Sequence, residues 1–230
     1  MFLNTLKFSF IVINLLLVVS CSSKSESSDE LAKNYFYPNE PKPYVYVFQD
    51  SLNPVFEMFE RIVTYQDPWG EHRLIERYNS NFMLIESYDV LVDHDYKVLN
   101  HVLYHGTKEI IAKISDSTFM PWQGKANFSS SFPGTVDSIY FTMTNKRSLQ
   151  EKKGGFIWNK EQLSTRLFLD SIYTLAVDLK NQKEKILTTV AIHEFAKGLG
   201  RVRIQSTVGE YNLVLINKIS EEDWQKMVTN

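Results

Sequence analysis

The chain has 230 residues, 43% hydrophobic and 23% charged, with 25 Lys+Arg against 27 Asp+Glu. Charges so evenly mixed, summing to −2, exclude a basic nucleic-acid surface. A single cysteine excludes an intramolecular disulfide and a cysteine-based zinc site.

Residues 1–20 have the parts of an export signal. Lys7 and the free amine make a positive start, and Phe8 to Val19 is an apolar core broken only by Ser9 and Asn14. Ser20 is the small residue expected before a cleavage point. A bilayer-spanning helix needs about 20 apolar residues, so this run is too short to be one. The stretch Leu17-Val18-Val19-Ser20-Cys21 resembles the lipobox of bacterial lipoproteins. That resemblance implies that Cys21 becomes the first mature residue and carries acyl chains, palmitate among them, on sulfur and amine. Each buried methylene contributes about 0.8 kcal/mol, so several chains would hold the protein at a membrane. The implied address is the cell envelope, at the outer membrane, with the folded part facing the periplasm or the cell surface.

Ser22 to Glu30 contains no apolar residue, which predicts disorder. Pro38, Pro41 and Pro43 then favour extended backbone. Residues 21–43 therefore read as the lipidated cysteine and a flexible tether, and residues 44–230 as a single β-rich domain. The acidic, serine-rich start of the tether also resembles the surface-export signal of Bacteroidota lipoproteins.

From Tyr44 onward the sequence reads as short strands separated by turns. Val45 to Phe48 opens the series. Phe59–Tyr65 and His72–Tyr78 flank Asp67-Pro68-Trp69-Gly70, with Pro and Gly where a type I turn favours them. Met83–Val92 and Tyr96–Tyr104 are predicted to be joined across Asp93-His94-Asp95, and Lys108–Ile114 follows the turn at Gly106. Ser115–Thr135 reads as irregular. Val136–Thr144, Thr165–Val177, Ile186–Phe195, Arg201–Gln205 and Tyr211–Asn217 complete the strands. Residues 54–65 fit either a capped helix or a strand, and the neighbouring turn favours a strand from Phe59. Ser220 to Trp224 reads as the start of a short C-terminal helix with an acidic first turn, from which Trp224 and Met227 pack back onto the sheet.

So many antiparallel strands must curl or close to hide their edges. The fold class is mainly β, a curved antiparallel sheet or half-barrel with a short C-terminal helix. The order of anchor, tether, long meander and late strand resembles the half-barrels of lipoprotein-localisation factors (LolA/LolB-like). Phe195-Ala196-Lys197-Gly198-Leu199-Gly200-Arg201-Val202 and Lys218 to Trp224, with Phe119-Met120-Pro121-Trp122 and Phe132-Pro133-Gly134, resemble a group of uncharacterised Bacteroidota lipoproteins.

His193-Glu194 begins like a zinc-protease motif, but the position four residues after His193 is Lys197 and the preceding run is strand-like. His101 and His105 are also four apart, a spacing that on a strand separates the rings by about 13 Å. Both readings exclude a metal site. Asp and Glu alternate with apolar residues, which reads as a solvent face. No nucleophile elbow, phosphate loop or dinucleotide fingerprint is present, so no catalytic residue and no cofactor is expected. The 15 Phe, 12 Tyr and 4 Trp are mostly core. Trp122, with Phe119, Phe128 and Phe132 around it in a Pro/Gly-bounded stretch, is the candidate apolar lip of a ligand groove.

The function expected from these residues is a membrane-anchored, non-catalytic module that binds a lipid or another hydrophobic ligand. Thr165–Val177 and Ile186–Phe195 would supply the apolar concave face, with sugar stacking on Trp and Tyr as a variant. The alternative is an accessory subunit of an envelope protein complex serving secretion, gliding or nutrient uptake.

Overall fold

Tyr44, Tyr46 and Phe48 project to one side of their strand, and Val45 and Val47 to the other. That alternation sorts the molecule into a large core inside a curved sheet and a small one outside it. The computed structural model describes residues 27–92, 96–120, 125–136 and 138–229. The signal segment with Cys21, the Asp93-His94-Asp95 link and Trp122 lie outside the described residues.

Helix α1 (Ser28–Tyr35) precedes the strands β1 (Tyr44–Asp50), β2 (Glu57–Asp67), β3 (Gly70–Tyr78), β4 (Leu84–Val92) and β5 (Lys97–His105). There follow β6 (Lys108–Ile111), β7 (Lys113–Ser117), β8 (Lys125–Pro133), β9 (Ile139–Trp158) and β10 (Glu161–Asp178). The chain ends with β11 (Lys183–Ala196), β12 (Gly200–Ser206), β13 (Asn212–Ser220) and α2 (Glu221–Thr229). The strands form one 13-stranded sheet in the order β6-β5-β4-β3-β2-β1-β13-β12-β11-β10-β9-β8-β7, with every pairing antiparallel. β6 and β7 are consecutive in the chain yet sit at opposite ends of that order. The sheet curls until its ends nearly meet, and Ala112 crosses between them. The Ala112 N–H donates to the His101 carbonyl at 2.9 Å and the Phe119 N–H to the Tyr96 carbonyl at 2.8 Å. A bridge between Lys97 and Thr118 completes the seam.

The β2–β3 hairpin has the expected register, with Asp67 opposite Gly70, and residues 57–67 are strand rather than helix. Three expectations fail. Lys108–Ile114 is two strands, because β6 continues from β5 while β7 belongs to β8. Ser115–Thr135 contains the end of β7 and all of β8, where Ala126, Phe128 and Ser130 alternate inward among polar neighbours. β9 runs for 20 residues, past the charged Lys146–Lys153 stretch, and turns at Asn159 and Lys160 with φ of 50° and 71°. Positive φ at both turn positions is the twist that a two-residue hairpin needs.

The tether is the fourth correction. From Ser27 onward residues 21–43 are folded. Ser27 and Glu30 form a capping box, and Leu31, Ala32, Tyr35, Phe36 and Tyr37 are buried in the main core. Their apolar stripe fits one end of the barrel, so tertiary burial outweighs the poor helix composition of the first turn. Gly200 permits the approach. Its φ is +89°, and an added Cβ would lie 2.9 Å from a ring carbon of Tyr37.

At the C-terminus the Ser220 hydroxyl accepts from the Asp223 N–H at 3.2 Å and caps α2. Trp224 is buried on the outer face of the sheet, 5.2 Å from the Phe59 ring and 5.0 Å from Tyr78. Met227 remains 39% exposed and does not pack back.

Candidate functional site

The barrel has two different ends. Strand direction places Tyr44, Tyr96 and Gly200 at one end, which α1 covers. Asp50, Tyr78, Leu84 and Ser206 lie at the other, under the β1–β2, β3–β4 and β12–β13 loops.

Between the ends, the interior carries charge. Glu60 on β2 faces Arg77 on β3 in register and is fully buried. It accepts from Arg77 at 2.8 Å, from Arg201 of β12 and from the Tyr37 hydroxyl at 2.7 Å. Arg77 continues to Glu86 of β4, which also accepts from Tyr88 at 2.7 Å. On the other side Arg201 reaches His193 at 3.2 Å. His193 lies 3.4 Å from Asp170, and Asp170 holds Arg147 of β9 by two hydrogen bonds of 2.7 and 2.6 Å. The result is one connected belt from β4 to β9 around the inside of the sheet. The carboxylates read as a solvent face therefore include three that point inward. Alternation marks two faces, but it does not say which face is wet when ion pairs fill the inner one.

The belt's electrostatics follow from its packing. Burial pushes the Asp170 carboxyl up, but Arg147, His193 and hydrogen bonds from Arg147 and Asn145 outweigh it and hold the group well below the usual carboxylate range. Glu86 is held low in the same way by Arg77, His101 and Tyr88 against its burial. Glu60 is lowered by Arg201, Arg77 and Tyr37. Burial drives His193 well below its ordinary value despite Asp170, with Arg147 and Arg201 adding to the effect. Carboxylates so strongly held are poor proton donors near neutrality.

The mouth opposite α1 is mainly apolar, with Asp50, Asn53, Asn79 and Glu210 also in its wall. A cavity of about 620 Å³ opens there among Leu52, Phe56, Met58, Ile85, Tyr211 and Leu213. A second of about 320 Å³ lies beside it at the seam, among Ile85, Leu103, Ile110, Phe132 and Phe141. Ile85 lines both. A third cavity, of about 540 Å³, sits beside α1 with Lys33, Glu71 and Arg73 in its wall.

Of the expected lip residues, the structure keeps Phe119 and Phe128 together, their rings 6.5 Å apart, away from the cavities. Phe119 and Phe128 are buried at the seam, their rings 5.7 and 5.9 Å from Tyr88, and Arg147 stacks over Phe119 at 5.0 Å. They are core rather than lip. Among the described lip residues, Phe132 reaches a cavity, where it stacks on Phe141 at 5.7 Å. Cys21 and Trp122 lie outside the described residues. Thr165–Val177 and Ile186–Phe195 line none of the three cavities. Phe168 and Phe195 fill the core, and the upper part of both strands extends beyond it. Leu52, Phe56 and Ile85 were hidden from the sequence reading because they border turns. Their signal is that apolar residues recur beside Asn53-Pro54 and Asn79-Ser80-Asn81, where solvated turns would be polar.

His101 and His105 share a strand, and only His101 is buried, stacked on Tyr88 at 4.4 Å and hydrogen-bonded to Ser130 at 3.0 Å. His193 is likewise on a strand. Among the described residues no three or more His, Cys, Asp or Glu side chains converge as a metal site would need, and no helix is long and apolar enough to cross a membrane.

No protein-family model matches the chain, and no curated protein matches it. Among solved structures it is similar to a protein from Parabacteroides distasonis provisionally described as a lipoprotein. The TM-score is 0.48 at 11% identity, over 82% of this chain and 97% of that one.

Proposed function

We propose that the protein is a lipid-anchored module of the cell envelope that takes up an apolar ligand in the open mouth of its barrel and carries out no chemistry on it. The observation that carries this reading is the cavity of about 620 Å³ walled by Phe56, Ile85 and Leu213. It falls within the roughly 300–1,000 Å³ of a typical small-molecule site. The ligand sits in the mouth and not along the bore, because the ion-pair belt and buried aromatics fill the bore. The lipobox at Cys21 supports the anchor, and the address inferred from it is the outer membrane. From Cys21 to Ser27 the chain reaches at most about 21 Å. The end covered by α1 then stays near the bilayer, the mouth faces away from it, and the ligand arrives from the aqueous side.

The test uses the full chain carrying Cys21→Ser. It should bind a fluorescent fatty-acid probe, and Ile85→Asp should abolish binding while leaving the melting temperature within a few degrees. Probe binding unaffected by Ile85→Asp, or absent altogether, rules out the mouth. In cells, Cys21→Ser should release the protein from the membrane fraction or leave it unprocessed.

The accessory-subunit reading is favoured by a different observation, the apolar rim around the mouth. Val55 is 86% exposed and Val208 72%. Loss of a co-purifying envelope protein on Val55→Asp, with probe binding intact, would select it.

A further inference from the structure

At the mouth end β8, β9, β10 and β11 stay paired beyond the end of β12. β10 and β11 pair continuously from Thr165–Ala196 to Asp178–Lys183. β12, however, covers β11 only between Ala191 and Ala196. Beyond Val190, whose carbonyl accepts from the Thr207 N–H at 3.0 Å, the outer edge of β11 meets no strand among the described residues. Residues 183–188 are all exposed, with Ile186 at 67% and Leu187 at 50%. An edge with unpaired N–H and C=O groups is a template for another strand.

We propose that this edge is a self-association site, and that a second copy of the chain pairs its own β11 antiparallel to it about Ile186. The ladder's parity sets the register. Because the Val190 carbonyl points outward, so do the backbone groups of Thr188, Ile186 and Glu184, which alternate with residues bonded to β10. Centring on Ile186 makes hydrogen-bonded pairs of Ile186 with Ile186 of the second copy, and of Glu184 with Thr188 in both directions. The charges select among the alternatives. With Ile186 at the centre, Lys183 faces Thr189 and Lys185 faces Leu187. Centring on Lys185 sets two lysines directly opposite each other, which is destabilising. Centring on Leu187 or Thr188 calls on Val190, whose carbonyl is already bonded. On the outer face, Ile186 then meets its own counterpart beside Leu175, its neighbour on β10. The extensions of the two copies, each running from β8 to β11, become one continuous sheet.

Register-specific cross-linking of the full chain tests this, with Cys21→Ser removing the native thiol. Opposite residues of a hydrogen-bonded pair have Cα atoms about 5.5 Å apart, within disulfide range. Ile186→Cys alone should oxidise to a covalent dimer. Glu184→Cys and Thr188→Cys should each stay monomeric alone and cross-link when mixed. Ile186→Pro removes an N–H that points away from β10, so the fold is kept and the dimer seen by sedimentation is lost. A chain that sediments as a monomer overturns the proposal. So does cross-linking equally strong at all three positions, or a dimer that survives Ile186→Pro.

Discussion

Glu60 is the side chain on which the interior depends. It neutralises Arg77 and Arg201 at once, and Arg201 is fully buried while Arg77 keeps only a minor part of its side chain in water. Removing one member of a buried ion pair typically costs about 3–5 kcal/mol, because a desolvated charge is left behind. Glu60→Leu should therefore lower the unfolding free energy by that much in urea titrations, and a loss below 1 kcal/mol would mean the belt is solvated. The belt also sets the response to acid. His193 is held below its ordinary value when folded, so the unfolded chain takes up its proton first and stability declines as pH falls through about 6.5. Asp170 and Glu86 are held low when folded, so their contribution is present above the ordinary carboxylate range and is lost as pH falls through and below it. Both effects have the same sign. His193→Gln should flatten the melting temperature between pH 6.5 and 5 while leaving the steeper acid loss below pH 4. None of this was legible in the sequence. Glu60 and Arg61 are adjacent in β2 and look alike, yet Glu60 faces the belt and Arg61 faces Glu221 on α2, at 2.7 Å.

Among the elements, α2 was legible and α1 was not. Ser220 followed by Glu221, Glu222 and Asp223 announces a helix start before Trp224, and the structure keeps both cap and anchor. Trp224 packs against Phe59, Tyr78 and Phe82 on the outer face of the sheet. Trp224→Ala should cost about 3–5 kcal/mol, the usual range for removing a large buried aromatic, while leaving the mouth's ligand binding unchanged. For α1 the same kind of signal, Ser27 with Glu30, lay inside a serine-rich run whose composition pointed to disorder. The deciding residues, Leu31, Tyr35 and Tyr37, gain their burial only from strands far along the chain. Tyr37 touches Glu60, Tyr35 reaches Ser164 at 3.0 Å, and the Gly198 N–H donates to the Asn34 carbonyl at 2.7 Å. The β2–β3 hairpin needed no such distant partner, and its turn was readable from four residues. β8 and the long β9 were obscured because their polar faces outnumber their apolar ones.

For the whole molecule, the folded unit includes α1 and so does not start at Tyr44. A chain starting at Tyr44 would expose the inner aromatic cluster that Phe36 and Tyr37 cover, with Phe36 packed 4.4 Å from Tyr96 and Tyr37 6.3 Å from Phe195. It should express poorly or melt well below a chain starting at Ser27, and equal melting temperatures would return α1 to the tether. The strand order has a further consequence, for the sequence of events in folding. Nearly every ladder joins neighbours in the chain and can form locally as the polypeptide emerges. β1 is the exception. It is held between β2 and β13, so Tyr44 waits for Ser220. Closing so large a loop is entropically costly and slow. Until the last strand arrives, both sides of the β1–β13 junction are open edges, and the chain is an unfinished ribbon open to chaperones and to premature association. A chain shortened before β13 should accumulate as such a ribbon, with sheet content but no cooperative melting.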